Sequence, residues 1–245
     1  MPNPLTVLRK NIAIGWHVMH NNGDFVHRDL RLTIPRTVKR DVRHMIVSGD
    51  YENEEFDLVS KWVPPSRSVI ELGGCLGVVS AHLRRTIDPD QTLIVVEANP
   101  EIVGTCEENA TRPSPASPTE VVCGAVAYGV DEVAFHLRRN LHVSRIADDA
   151  GEANHVCRAY TLADLASRLP ASARFTLVCD IEGGEFDLFR HDQQTLAFCD
   201  LAIVETHPSM FERAQDKLDE MAENAAQAGL EIVDETGDVI VLKRE

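Results

Sequence analysis

The sequence predicts an α/β fold built on a mostly parallel sheet, closed at its C-terminal end by an antiparallel hairpin. Three observations carry this expectation. From about Ser68 onward, short apolar runs alternate with amphipathic stretches, the mark of repeated βαβ units. The run Phe175 to Cys179 is wholly apolar and bounded by polar residues, as a buried strand is. At the C-terminal end, Leu230 to Val233 and Val239 to Lys243 flank a turn at Thr236-Gly237-Asp238, the pattern of a hairpin.

The elements follow in order. Ser68 to Leu72 is the first strand and ends in a glycine-rich turn, after which a helix runs from about Val78 to Arg85. Thr92 to Val96 is the second strand, ending at Glu97. Pro100 is placed to start a helix that runs to about Asn109, with Asn99 as its cap. Glu120 to Ala125 is the third strand, and Val133 to Leu137 and Val156 to Tyr160 are further extended pieces. Thr161, with Asp164 three residues on, caps a short helix from Leu162 to Arg168. The fourth strand, Phe175 to Cys179, ends at Asp180, and Leu201 to Val204 ends at Glu205. A long helix is expected from Pro208 to Ala228, stopped by Gly229. The first 66 residues form an N-terminal extension or cap, with extended structure from Val26 to Ile34 and a helix from Glu54 to Trp62. Residues 67–245 form the main domain.

Bulk properties narrow the classes of function. The chain has 245 residues, 44% of them hydrophobic, enough for one large domain with a small cap. No stretch approaches the roughly 20 apolar residues of a membrane span, and no basic stretch leads into an apolar core at the N-terminus. A cytoplasmic protein without membrane partners is expected. The six cysteines form no C-x-x-C pair, so buried thiols in a reducing compartment are expected rather than a zinc or redox site. A formal net charge of −15 repels phosphate backbones and argues against a nucleic-acid partner. The basic cluster Arg36, Lys39, Arg40 and Arg43 is expected to be one solvated helix face. His17 and His20 have helical spacing for a metal but no further nearby ligand, so a plain surface pair is expected. Trp16 and Trp62 are expected to pack in the core or cap.

In an open α/β sheet, ligands bind beyond the carboxyl ends of the strands, where strand order reverses. Here those ends carry Glu71, Gly73, Gly74 and Gly77, then Glu97-Ala98-Asn99, then Gly124-Ala125, then Asp180 to Glu185, then Glu205 to Pro208. The glycines allow a tight turn and close approach of a ligand to the backbone. Their spacing is not the G-x-G-x-x-G of a pyrophosphate-binding turn. Glu71 beside them favours a cationic ligand instead. Glu97 is placed to accept hydrogen bonds from two ribose hydroxyls, since one carboxylate can take both. A nucleoside carrying an amino group and a sulfonium, S-adenosylmethionine, meets these requirements.

The same residues resemble a known family. Val69-Ile70-Glu71-Leu72-Gly73-Gly74-Cys75-Leu76-Gly77 matches the glycine motif of the FkbM family of class I methyltransferases. Glu97-Ala98-Asn99-Pro100 is similar to its E-P-N-P turn. Asp180-Ile181-Glu182-Gly183-Gly184-Glu185 is similar to its D-x-E-G-x-E signature, and Glu205-Thr206-His207-Pro208 to its closing E-x-H-P. Gly49-Asp50-Tyr51-Glu52 and Glu55 resemble a stretch ahead of the glycine motif. The resemblance spans roughly Gly49 to Pro208. Cys75 stands where the family usually has Asn, and Cys179 where it usually has Lys, which takes a cation from beside the acidic cluster.

The resemblance implies a Rossmann-like class I methyltransferase fold with a seven-stranded, mostly parallel sheet. It implies methyl transfer from S-adenosylmethionine to a hydroxyl of a sugar or small molecule. Cofactor contacts are expected from Tyr51, Glu52, Glu71, Gly73, Gly74, Gly77, Glu97, Ala98, Asn99, Gly124, Ala125 and Asp180, with Tyr51, Glu52 and Glu55 closing over the methionine end. A hydroxyl is a poor nucleophile, so a base or a metal must assist. Asp180, Glu182, Glu205 and His207 are the catalytic candidates. His207 titrates near neutrality and suits a general base, and Asp180 is the alternative. If the strand continues, Asp180 and Glu182 project to one side. Asp180, Glu182 and Glu205 also offer hard oxygen ligands to magnesium. Glu185 is expected simply to complement the dipole at its helix start. An RNA or protein methyltransferase and a silent cofactor-binding subunit are the alternatives, and self-association is open.

Overall fold

A computed structural model describes residues 15, 23–136, 145–146 and 155–245. Trp16, His17 and His20 lie outside the described residues. The chain divides into two compact units, Met1–Asn53 and Glu54–Glu245.

In the N-terminal unit, β1 (Asp24–His27) and β2 (Leu30–Thr33) pair antiparallel. Arg28 and Asp29 make the two-residue turn, both with positive φ, the backbone that matches strand twist in such hairpins. The hairpin's buried side chains Phe25, Leu30 and Leu32 share this unit with Val42 and Ile46 of helix α1 (Arg40–Ser48). His27 anchors the two elements through Nδ1 to the Ile46 carbonyl at 2.9 Å. Arg36, Lys39 and Arg40 are exposed, but Arg36 and Lys39 precede the helix and Arg43 is half-buried, so the four do not form the one solvated helix face expected.

The larger unit opens with helix α2 (Asn53–Trp62, its first residue at the division). Its core is a seven-stranded sheet. In chain order the strands are β3 (Ser68–Leu72), β4 (Leu93–Glu97), β5 (Thr119–Cys123), β10 (Phe175–Cys179), β11 (Cys199–Glu205), β12 (Leu230–Thr236) and β13 (Val239–Arg244). The spatial order is β12-β13-β11-β10-β3-β4-β5. The five strands from β11 to β5 run parallel, and β13 enters antiparallel between β11 and β12. Every residue of β3, β4 and β10 is buried, as strands covered on both faces are. This is the Rossmann-like α/β arrangement expected, hairpin included. Strand order reverses between β3 and β10, so the crevice predicted for a ligand lies where Gly73 follows one strand and Asp180 the other.

Three expected boundaries move. The run from Glu120 to Ala125 is not one strand. β5 stops at Cys123, and Ala125–Val126 (β6) joins a second sheet with β7 (Glu132–His136), β8 (Arg145–Ile146) and β9 (His155–Tyr160). The helix after β4 begins at Val103, not Pro100, because Asn99 first makes a tight turn: its Oδ1 accepts the Glu101 N–H at 2.9 Å. Likewise Pro208 opens only a 3₁₀ turn (Pro208–Met210), and the long helix runs from Ala214 to Gln227. The Thr161–Asp164 capping box forms as expected on the helix Leu162–Ala166.

No helix among the described residues is long and apolar enough to cross a membrane. No disulfide links the six cysteines.

Candidate active site

The site is built from the tips of four parallel strands. After β3, Gly73 and Gly74 both donate N–H bonds to the Val96 carbonyl, at 2.9 and 3.0 Å, which stitches the glycine turn to β4. Helix α3 (Val78–Thr86) follows from Gly77. The glycines are required by the protein itself. A Cβ on Gly73, where φ is +91°, would lie 1.8 Å from the Asp180 carbonyl oxygen. One on Gly74 would lie 2.3 Å from Val95, and one on Gly77 2.6 Å from the Cys106 carbonyl oxygen. Gly124 is closed in the same way by the Tyr160 ring at 2.6 Å.

Glu97, at the tip of β4, is 8% exposed. Its Oε2 accepts the Cys75 N–H at 2.7 Å and its Oε1 the Asn99 N–H at 2.6 Å. The carboxylate therefore clamps the glycine turn to the Glu97–Asn99 turn, with a second lone pair still on each oxygen. Burial pushes Glu97 up to about 7, against the pull of those N–H groups. Glu71 lies deeper, 2% exposed, and burial pushes it up to about 8 while the Ser80 hydroxyl pulls it down. Its Oε2 is buried without a hydrogen-bond partner. The charges of Glu97 and Asp180 raise Glu71 further, and both Glu71 and Glu97 act on the Cys106 thiol. The two glutamates are thus close enough to act on each other and on the same thiol.

Asp180 follows β10, its N–H donating to the Leu72 carbonyl at 2.9 Å across the switch point. The strand does not continue past Cys179. Glu182 has φ +51° and Gly183 φ +98°, so the chain turns sharply. That left-handed kink, rather than strand alternation, turns Glu182 back beside Asp180. Both reach the same atom: Asp180 Oδ1 is 3.6 Å and Glu182 Oε2 3.7 Å from His207 Nε2, with Glu205 Oε1 at 3.9 Å.

Glu185 holds the far side of that imidazole. It is fully buried at the start of the helix Glu185–His191. Its Oε2 accepts the Gly183 N–H at 2.8 Å and its Oε1 the His207 backbone N–H at 2.8 Å. The same Oε1 is 3.4 Å from His207 Nδ1, which is buried and has no other hydrogen-bond partner. Burial alone would lower His207, but Glu185, then Asp180 and Glu182, outweigh it and hold the imidazole at about 9. Burial, together with Glu205, pushes Asp180 up to about 8, and His207 opposes the rise. Burial likewise raises Glu205, opposed by His207. Glu185 is therefore more than a dipole-complementing residue. The sequence signal was Gly183-Gly184 ahead of it, which lets the side chain fold back onto its own turn.

All four expected catalytic residues converge. Among the expected cofactor contacts, Glu71, Gly73, Gly74, Gly77, Glu97, Ala98, Asn99, Gly124, Ala125 and Asp180 lie at the strand tips or in the turns that follow them. Tyr51 and Glu52 belong to the N-terminal unit, where Tyr51 is buried and Glu52 turns the chain at φ +48°. Glu55 is buried in α2, and its charge reaches Cys179.

No protein-family model matches this chain, and no curated protein matches it. Several solved structures are similar. One is a protein of the NADB-Rossmann superfamily from Streptococcus agalactiae, 14% identical over 78% of this chain and 68% of that one, with a TM-score of 0.43. Another is Aeropyrum pernix fibrillarin in complex with natively bound S-adenosyl-L-methionine, 13% identical over 78% of this chain and 74% of that one, with a TM-score of 0.46. A third is mitomycin 7-O-methyltransferase, 14% identical over 98% of this chain and 67% of that one, with a TM-score of 0.44. The Rossmann-like assignment rests on this chain's own strand order, with its reversal between β3 and β10 and its antiparallel C-terminal hairpin.

Proposed function

We propose that this chain is an S-adenosylmethionine-dependent methyltransferase that acts on a hydroxyl of a small molecule or sugar. The observation that carries the reading is the Glu97 clamp. A buried carboxylate at the second strand tip is fixed by two backbone N–H groups, one from the glycine turn and one from the turn beyond β4. Fixed in this way it is preorganised to accept two neighbouring ribose hydroxyls. The unpartnered Glu71 Oε2 in the same region suits a ligand that brings positive charge. The resemblance to the FkbM family supports the hydroxyl acceptor.

When bound, the cofactor supplies a methyl group on a positively charged sulfur. Glu97 and the turn from Gly73 to Gly77 hold the nucleoside, with Ala98, Asn99, Gly124 and Ala125 at its edge. Asp180, Glu182, Glu205 and His207 sit at the neighbouring strand tips, where they orient the acceptor hydroxyl; with the imidazole held at about 9, and so charged near neutral pH, a carboxylate rather than His207 takes its proton. Alignment of this kind can account for about 7–11 kcal/mol of a barrier. Glu185 keeps the imidazole in place from behind.

Calorimetric titration with S-adenosylhomocysteine tests the reading. The full chain takes up one equivalent, and Glu97→Gln weakens uptake by about 10- to 100-fold, the worth of one or two charge-assisted hydrogen bonds. No uptake by the unaltered chain sinks the proposal. Uptake without transfer from labelled cofactor to any hydroxylated acceptor leaves a silent binding subunit.

A further inference from the structure

The geometry points to a divalent metal site formed by Asp180, Glu205 and His207. One carboxylate oxygen from each acid and the imidazole Nε2 are its ligands. The site stands on its own geometry, whereas the ion's part in catalysis rests on the methyl-transfer reading.

Three donor atoms, one from each residue, lie within 4.8 Å of one another. Nε2 is 3.6 Å from Asp180 Oδ1 and 3.9 Å from Glu205 Oε1. Ligands around an ion with bonds of about 2.0–2.2 Å sit roughly 3–4 Å apart, so the trio needs only slight contraction to close on one. The cluster is more than a gathering of acids. Asp180 Oδ1 is buried and has no hydrogen-bond partner, although it faces the imidazole. Such an atom costs free energy unless a cation or donor meets it. Among the described residues, the ion pairs of Asp180 and Glu205 are with His207 and with no lysine or arginine.

The second observation lies behind the ring. A metal-binding histidine commonly gives its other nitrogen to a carboxylate, which fixes the ring and its tautomer. Glu185 is that carboxylate: fully buried, bound to the His207 backbone N–H at 2.8 Å and 3.4 Å from Nδ1. With Nδ1 turned to Glu185, Nε2 is the nitrogen left to take the ion, which displaces the proton that Nε2 otherwise carries. One nitrogen and two oxygens suit manganese, iron(II) or zinc better than an all-oxygen ion. The expected magnesium set of Asp180, Glu182 and Glu205 is thereby altered. Glu182 Oε2 stays 3.7 Å from Nε2, outside the trio, and is left to take a proton.

The ion leaves open coordination positions and lowers the pKa of an oxygen bound to it. It therefore selects an acceptor whose reacting hydroxyl neighbours a second oxygen, such as a vicinal diol or a hydroxy acid. This is the acceptor class the site would take.

Mn²⁺ alone is the probe. Titration of the chelator-treated full chain, followed by electron paramagnetic resonance, is expected to show one saturable site per chain. Glu205→Gln weakens it more than 10-fold and leaves S-adenosylhomocysteine uptake unchanged. Anomalous scattering from a Mn²⁺-soaked crystal of the unaltered chain places the ion among the three side chains. A chain that binds S-adenosylhomocysteine but no Mn²⁺, or binds Mn²⁺ equally in Glu205→Gln, or holds the ion elsewhere, overturns the site. Mn²⁺ bound at the trio without S-adenosylhomocysteine uptake upholds the site and sinks the methyl-transfer reading alone.

Discussion

Glu185 Oε1 accepts the backbone N–H of His207 at 2.8 Å and lies 3.4 Å from the Nδ1 of the same residue. One buried oxygen thus holds both the chain and the ring at the tip of β11. The other oxygen ties down the Gly183 N–H in the kink after β10. Two strand tips are joined by a single carboxylate.

Replacing it tests whether that join matters to chemistry. Glu185→Gln keeps the shape but turns an N–H₂ toward one of the two N–H groups and removes the charge beside Nδ1. The expected cost is about 1–3 kcal/mol of stability, with turnover reduced at least about 10-fold. A profile of turnover against pH separates positioning from mere folding. Because Glu185 is the largest influence raising His207, its loss moves the imidazole limb of the profile downward. An unmoved limb at reduced turnover would mean that Glu185 acts only as a staple.

Gly73 is the position where substitution is least tolerated. At φ +91° it adopts a backbone that other residues rarely take, and a Cβ there would lie 1.8 Å from the Asp180 carbonyl oxygen. That oxygen belongs to backbone pinned by the Asp180 N–H bond to Leu72, so it has nowhere to go. Gly73→Ala is expected to cost about 3 kcal/mol or more, read as a lowered urea midpoint. Where the variant folds, Asp180 is displaced and the proposed methyl transfer is expected to fall with it. A midpoint within about 0.5 kcal/mol of the parent would refute the close approach.

The acids at the strand tips set the slope of stability against pH. Folding raises Glu71 from 4.5 to about 8, Glu97 from 4.5 to about 7 and Asp180 from 3.8 to about 8. A raised acid binds its proton more tightly in the folded chain. Its stabilisation is present below the unfolded value and is lost as pH rises through the folded one. His207, raised from 6.5 to about 9, loses its contribution in the same direction and later. The ligand-free chain is therefore expected to melt at progressively lower temperature from about pH 5 to about pH 9. One such group contributes at most about 1.4 kcal/mol per pH unit. Glu71→Gln removes its share and flattens the curve below about pH 8. Parallel melting curves for parent and variant would show that Glu71 is ionised in both states.

Much of this arrangement was legible because burial writes itself into sequence. β3, β4 and β10 are apolar runs that stop at or beside Glu71, Glu97 and Asp180, so strand tips and candidate acids were found together. The failures share a cause. Pro100 and Pro208 signal a chain turning with φ near −65°, which fits a 3₁₀ or Asx turn as well as a helix start. Gly124 marks a break, but which sheet receives Ala125 depends on the distant partner Ala159. Glu185 looked like a helix-start acid because its partners, Gly183 and His207, are set by the turn's fold-back and by strand β11.

Arg84 provides a control at the opposite end of the same strands. It is 1% exposed, and its guanidinium donates to the carbonyls of Gln91 and Asp88 at 2.8 and 2.6 Å and to those of Pro118 and Ile87 at 3.3 and 3.4 Å. These carbonyls belong to the segments entering β4 and β5, the amino ends of strands whose carboxyl ends carry the site. Burial lowers the pKa of the guanidinium, yet it stays charged, and the carbonyl dipoles take the place of water. Arg84→Met fills similar space but leaves those carbonyls unmet, and is expected to cost about 3 kcal/mol in urea unfolding. The loss falls on the scaffold, so S-adenosylhomocysteine affinity at a temperature where the variant is folded should stay within about twofold of the parent. A stable variant with weakened affinity would instead mean that the loops before β4 and β5 govern the strand tips directly.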